Sequence, residues 1–160
     1  MKKECELCER NPEMAEARLH INSFLMGSLF TVLALIWTFS SEKISSVLIV
    51  QMVLAIPIIL FASLSYAKVG YNRSHKIWYR FGWITNNVGY LLFLNATGLI
   101  VATFSSVALG LIYFGLLIFL SCLYYILNII SQPGTFKEHF LKLLFFLIII
   151  SLGGILPLII

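Results

Sequence analysis

The sequence predicts an all-α, polytopic integral membrane protein, a bundle of five transmembrane helices with a short cytoplasmic N-terminal tail. Of its 160 residues, 60% are hydrophobic and only 11% are charged, whereas about a quarter of the residues are charged in soluble domains. No charged residue or histidine occurs between Phe81 and Phe136, which leaves room for two crossings at about 20 residues each. The apolar stretches are continuous rather than alternating, and this excludes a transmembrane β-barrel.

Residues 1–20 are predicted to form the polar tail and the start of a long first helix, and residues 21–160 the transmembrane domain. Asn11-Pro12-Glu13 indicates a helix N-terminus, with Asn as the cap and Pro at the first helical position. Thr135 to Glu138 fits a capping box and predicts the start of the last helix. Gly153-Gly154 and Pro157 leave open a re-entrant last segment instead of a full crossing. The crossings are expected at about 21–39, 47–67, 81–104, 107–130 and 140–160.

The distribution of basic residues predicts the orientation. Ten of the eleven lysines and arginines lie in the tail, in the 68–80 loop and in the 131–142 segment, and Lys43 is the exception. Since basic residues stay on the cytoplasmic side, we expect the N-terminus in the cytoplasm and the C-terminus on the opposite side. The first 20 residues lack the apolar core of a signal peptide, so the first crossing itself is expected to direct insertion.

The 68–80 loop combines cations with aromatic rings, the composition of a membrane interface. The simpler interpretation is a topology signal with an aromatic belt, and the alternative is a specific site for anionic lipids or for a partner. Because the positive charge lies at membrane edges, it does not indicate nucleic-acid binding. The candidate headgroup or partner contacts are Lys68, Arg73, Lys76, Trp78, Arg80 and Trp83.

The third crossing carries several polar side chains into the bilayer. At 100° per residue, Asn86, Tyr90 and Thr97 fall on one face, with Asn87 at its edge, while Asn95 points the other way. An amide that faces lipid costs several kcal/mol, so these groups must meet a partner or water. They predict either hydrogen bonds between helices or the lining of a polar passage.

Small residues predict close helix packing, within one bundle or between subunits. In the first crossing they recur every three or four residues, and in the fourth every seven residues, which is the left-handed packing period. The two sets are Ser23, Gly27, Thr31 and Ala34, and Ala108, Gly115 and Cys122.

Cys5-x-x-Cys8 is the only metal-like motif. It supplies two thiolates where a closed zinc site needs four ligands, so we expect no cofactor, with zinc at the tail as the weaker alternative. No carboxylate lies within a crossing, and phosphate-loop, nucleophile-elbow and zinc-protease motifs are absent from the sequence. We therefore do not expect an enzyme.

Three functions agree with this pattern. The leading hypothesis is a non-catalytic interaction, accessory or assembly subunit that binds another membrane protein through intramembrane helix packing. The alternative is a homo-oligomeric channel or pore in which the third crossing lines a polar passage. The third is a lipid or small-molecule transporter. Five isolated polar groups are few for a water-filled path, which favours the first.

Overall fold

The polypeptide is helical along almost its whole length. The computed structural model describes residues 2–39, 44–71, 75–131 and 136–159, and the side chains of residues 13–38, 44–69, 77–130 and 140–159. The helices are α1 (Lys2–Phe39), α2 (Ser46–Tyr71), α3 (His75–Phe104), α4 (Val107–Ser131), α5 (Phe136–Ile150), a π-helical turn (Ser151–Ile155) and α6 (Leu156–Ile159).

Five segments are long and apolar enough to cross a membrane, which confirms the all-helical class and the number of candidate spans. Each begins or ends within a few residues of the predicted crossing, except at the start of the first. The chain therefore has the makeup of a multi-pass membrane protein. The segments are Glu13–Thr38, Ser46–Val69, Ile77–Phe104, Val107–Ile130 and Phe140–Ile159.

The first helix begins earlier than predicted, at Lys2 instead of Pro12. Residues 2–10 consist largely of Lys, Glu, Leu and Arg, which are among the best helix formers. Glu6 and Arg10 also have the four-residue spacing of a stabilising charge pair. We conclude that propensity over this stretch outweighs the local capping signal at Asn11. The other predicted cap, at Thr135, lies outside the described residues.

The last span is not broken at its glycines and proline. Gly153 and Gly154 lie in the π-helical turn, where the Leu156 N–H donates to the Ser151 carbonyl, and Pro157 lies in the first turn of α6. A π turn lets a helix absorb a proline and continue. The helix break that a re-entrant segment would need is therefore not present in residues 136–159.

The chain divides into two compact units, which are described separately. Unit 1 comprises residues 1–42 and 49–93, and unit 2 comprises residues 43–48 and 94–160. The boundary at 93 and 94 falls inside α3, so this helix contributes its first part to unit 1 and its last part to unit 2.

In unit 1, α2 runs antiparallel to both α1 and α3. Arg18 and Asn22 of α1 meet Tyr66 and Ser63 of α2, so residue numbers rise on one helix as they fall on the other. The α2–α3 approach is very close. A Cβ added to Gly89 would lie 2.6 Å from Ile59 Cγ1, nearer than real Cβ atoms come, so any larger residue would require Ile59 to shift.

In unit 2, a two-residue turn joins α3 to α4. The Ser106 hydroxyl accepts a hydrogen bond from the Leu109 N–H at 3.3 Å and caps α4. Phe114 of α4 is completely buried. A Cβ added to Gly98 or to Gly154 would lie less than 3.0 Å from the Phe114 ring. The ring is therefore lodged against two glycines, one on α3 and one in the π-helical turn.

Candidate functional site

Three helices of unit 1 are joined by a continuous chain of side-chain hydrogen bonds. The Tyr90 hydroxyl of α3 donates to Asn22 Oδ1 of α1 at 2.9 Å, and Asn22 Nδ2 donates to Ser63 Oγ of α2 at 3.1 Å. The Ser63 hydroxyl in turn donates to the Ile59 carbonyl at 2.9 Å. Asn22 is completely buried, and both ends of its amide are used. A polar group in this position satisfies the requirement that buried polar atoms find partners.

Asn86 lies beside this chain of hydrogen bonds, one helical turn before Tyr90 on α3. Its amide is an electrostatic neighbour of the Tyr90 hydroxyl, and the residue is only 3% exposed. Its carbonyl oxygen Oδ1 has no hydrogen-bond partner among the described residues. We call Asn22, Ser63, Asn86 and Tyr90 the polar seam. The polar seam therefore contains one buried acceptor, Asn86 Oδ1, that can still accept a hydrogen bond.

Arg18 lies on α1, one helical turn before Asn22. Its Nη1 donates to the Tyr66 hydroxyl at 2.6 Å. Its guanidinium carbon is 5.4 Å from the centre of the Tyr66 ring and 5.7 Å from that of the Tyr79 ring. These distances are within the range of cation–π attraction. The two rings meet edge to face at 6.1 Å, and we call Arg18, Tyr66 and Tyr79 the arginine cage.

A second cation lies on the same aromatic cluster. Lys68 Nζ is 4.2 Å from the centre of the Trp78 ring. Trp78 and Tyr79 are adjacent on α3, and both pack on a buried cluster that includes Tyr66 and Val69. Two positive charges are thus held against aromatic rings at one end of unit 1.

The remaining predicted headgroup contacts are placed in different ways. Arg80 is exposed and Trp83 is half-buried. Lys76 lies in α3 but its side chain is not described, and Arg73 lies outside the described residues. Whether any of these residues binds a headgroup or a partner stays a prediction.

The structure brings together only part of the predicted polar face of α3. Asn86 and Tyr90 belong to the polar seam. Asn87 Nδ2 instead donates to the Trp83 carbonyl of its own helix at 2.7 Å, and Thr97 belongs to unit 2. Asn95 also belongs to unit 2. It is completely buried, and its Nδ2 donates to the Ile149 carbonyl of α5 at 3.1 Å.

The predicted small-residue ridge of α1 is exposed in this chain. Ser23, Gly27, Thr31 and Ala34 are all exposed, and we call them the small-residue face. A Cβ added to Gly27 would meet nothing within 4 Å. The ridge therefore makes no close helix contact in the described structure. Of the α4 set, Ala108 and Gly115 are exposed and Cys122 is half-buried.

The two cysteines of the possible zinc site lie outside the described side chains. Cys5 and Cys8 lie in α1, ahead of the residues whose side chains are described. Among the side chains that are described, no three His, Cys, Asp or Glu residues converge.

Sequence reasoning missed the α1 and α2 members of the seam and the cage, namely Arg18, Asn22, Ser63 and Tyr66. Asn22 carried a usable signal, because an amide within a largely apolar crossing must find a partner. It missed the packing glycines of α3 as well. Gly82 and Gly89 are seven residues apart, and both are buried at the α2–α3 contact. That spacing is the same signal already noted in α4.

Comparisons with protein-family models, with curated proteins and with solved structures find no match to this chain.

Proposed function

We propose that this chain is a non-catalytic, multi-pass membrane protein that binds a transmembrane helix of another membrane protein through the small-residue face of α1. The observation that carries the proposal is that this face is exposed although its composition is that of a helix contact. Ser23, Gly27, Thr31 and Ala34 allow two helix backbones to approach closely, which is what drives association in lipid.

The hydroxyl groups of this face add no polar cost to docking. The Ser23 hydroxyl donates to the Leu19 carbonyl at 2.9 Å, and the Thr31 hydroxyl donates to the Gly27 carbonyl at 2.9 Å. Ser28 at the edge does the same to Phe24. A partner helix therefore meets methyl groups, methylene groups and bare backbone. The polar seam also supports this interpretation, because most of its polar groups form hydrogen bonds within the bundle and do not line a passage.

The orientation belongs to the same proposal, with the N-terminus in the cytoplasm and the C-terminus on the opposite side. It rests on the ten-to-one division of basic residues. A reporter that is active only outside the cytoplasm should be active when fused after Ile160 and inactive when fused after Ser131. Activity from the Ser131 fusion, or none from the Ile160 fusion, contradicts the five-crossing orientation.

The docking proposal is tested by Gly27→Leu, with Gly115→Leu as the matched control. A Cβ at either position meets nothing within 4 Å, so both variants should fold, but only the first fills the small-residue face. A photo-reactive residue at Ala34 in the native membrane should give one defined adduct, identified by mass spectrometry. Its yield should fall about tenfold or more in Gly27→Leu, since a 1.4 kcal/mol loss of association has that effect.

The control decides what the adduct means. An unchanged yield in Gly115→Leu, together with the loss in Gly27→Leu, supports helix docking on α1. An adduct that survives Gly27→Leu counts against the proposal. An adduct with the mass of two copies of this chain moves the conclusion to a homo-oligomer.

The second candidate function is a homo-oligomeric pore with α3 at its lining. It is favoured by Asn86 Oδ1, which has no hydrogen-bond partner among the described residues. Asn86→Leu combined with Tyr90→Phe would make such a lining apolar and close it by dewetting. Ion or solute flux through reconstituted protein is the measurement. Flux in the wild type that the folded double variant abolishes would replace the docking proposal by the pore.

A further inference from the structure

The arginine cage holds a positive charge that has no carboxylate partner among the described side chains. Arg18 is half-buried and lies within the candidate span Glu13–Thr38. Among the described residues it forms no ion pair, and Glu13 and Glu16 on the same helix are exposed. A half-buried cation with no counter-ion among the described residues is a candidate site for an anion.

The geometry of the cage leaves the guanidinium edge available. The Arg18 guanidinium lies over the faces of the Tyr66 and Tyr79 rings. The hydrogen bond to the Tyr66 hydroxyl uses one of the five N–H donors of an arginine. Since cation–π contacts need no N–H donor, the others can form the paired hydrogen bonds by which Arg recognises phosphate or carboxylate oxygens.

The surroundings of the cage favour a phospholipid over a soluble anion. Lys68 supplies a second charge on the Trp78 ring, next to Tyr79. Trp and Tyr rings settle at the depth of the headgroups, and lysine adds attraction to anionic lipid there. Close by, Ile77 and Phe81 are exposed on α3, and these apolar side chains suit contact with acyl chains.

We propose that Arg18 binds the phosphate group of an anionic phospholipid, with Lys68 as the second cation and with Tyr66 and Tyr79 holding the guanidinium in place. This site is independent of the proposed docking face of α1, and either proposal can fail without the other. It moves the centre of lipid recognition to a residue of α1. The sequence had placed it in a loop over residues 68–80, but in the structure α2 continues to Tyr71 and α3 begins at His75.

The test uses the full chain purified in detergent. Binding of dioleoyl-phosphatidylglycerol is measured by native mass spectrometry, with dioleoyl-phosphatidylcholine and inorganic phosphate as comparison ligands. We expect the wild type to prefer phosphatidylglycerol. Arg18→Gln should weaken its binding by about tenfold or more, because hydrogen bonds between ionised groups are the strong ones.

Arg80→Gln is the matched control, since Arg80 is an exposed cation on α3, one residue after Tyr79. Its loss should reduce binding by about fivefold at most, the contribution of one cation near an anionic surface. Equal losses in Arg18→Gln and Arg80→Gln would overturn the proposal, because they indicate general attraction to negative charge.

Two further variants keep the proposal testable if Arg18→Gln does not fold. Arg18→Lys keeps the charge but not the paired donors, and Tyr66→Phe keeps the ring but not the hydroxyl. Both should bind phosphatidylglycerol more weakly than the wild type while binding phosphatidylcholine as before. Undiminished phosphatidylglycerol binding in Arg18→Lys, or displacement of the lipid by low millimolar inorganic phosphate, would contradict a lipid site built on the guanidinium.

Discussion

In unit 1, hydrogen bonds between side chains link three helices, whereas in unit 2 the closest contacts are made by the Phe114 ring against two glycines. Hydrogen bonds between helices in a membrane contribute only about 0.6 kcal/mol each on average. Filling an already packed interior costs about 1–3 kcal/mol. We therefore expect one methyl group added beside Phe114 to lower the free energy of unfolding more than the loss of any single hydrogen bond between the helices of unit 1.

The two units also share one feature, a buried asparagine on α3 whose Oδ1 has no hydrogen-bond partner among the described residues. Asn86 in unit 1 neighbours the Tyr90 hydroxyl. Asn95 in unit 2 donates to the Ile149 carbonyl, next to the π-helical turn. The first belongs to the polar seam and the second forms one hydrogen bond within an apolar contact, so each replacement should be detected in its own unit.

The largest loss of stability is expected when either glycine that packs against the Phe114 ring is replaced. Gly98→Ala and Gly154→Ala should each lower the free energy of unfolding by about 1–3 kcal/mol, because the new Cβ overlaps a ring that is buried on all sides. Gly115→Ala on α4 is the control. Its Cβ meets nothing within 4 Å, and the change should be neutral or stabilising by up to about 1 kcal/mol.

Denaturation in mixed detergent gives these energies, and hydrogen exchange shows which unit responds. Faster exchange should be confined to residues 94–160. Wild-type stability in both overpacked variants would mean that the Phe114 ring moves aside easily, and the contrast between the two units would be lost.

A smaller effect is expected when each buried asparagine is replaced by leucine. Asn95→Leu removes the bond to Ile149 and also removes the unpaired oxygen, so the net loss should be about 1 kcal/mol or less. Asn86→Leu should cost a similar amount in unit 1. Asn128→Leu is the control, since Asn128 bonds only to the Tyr124 carbonyl of its own helix at 3.1 Å and should show no loss.

These asparagine variants are compared by the same denaturation measurement. A loss of several kcal/mol in Asn95→Leu alone would show that this one amide, and not the Phe114 contact, dominates unit 2. Increased stability in Asn86→Leu would identify its amide as a group kept for binding instead of for packing.

The smallest expected effect is the interaction energy between Asn22 and Tyr90 of the polar seam. A double-mutant cycle of Asn22→Ala and Tyr90→Phe should give an interaction energy of about 0.6 kcal/mol, and no more than about 1.7 kcal/mol. Pairing Tyr90→Phe with Ser23→Ala should give none, because the Ser23 hydroxyl bonds to its own helix. A coupling near zero in the first cycle would show that the bond between α1 and α3 does not stabilise unit 1.

The sequence alone determined the features that depend on neighbours along the chain. A crossing is a run of about 20 apolar residues, so its position follows from local composition. The turn between α3 and α4, the start of α2 and the bounds of α4 were predictable for the same reason, whereas α2 ends at Tyr71, four residues later than predicted. The start of α1 was not, because a cap at Asn11 competed with good helix formers before it, and single caps are weak signals.

Only the tertiary structure decided which helix faces meet. The partners Arg18 and Tyr66 are 48 residues apart in the sequence, and Asn22 and Tyr90 are 68 apart. In an apolar helix almost every face can be buried or can contact lipid, so hydrophobic periodicity does not say which one turns inward. The same physics explains why the small residues of α1 could be recognised as a packing surface while their exposure could not. Small side chains indicate that another helix can pack closely against this backbone. Only the fold shows whether a helix of the same chain does so.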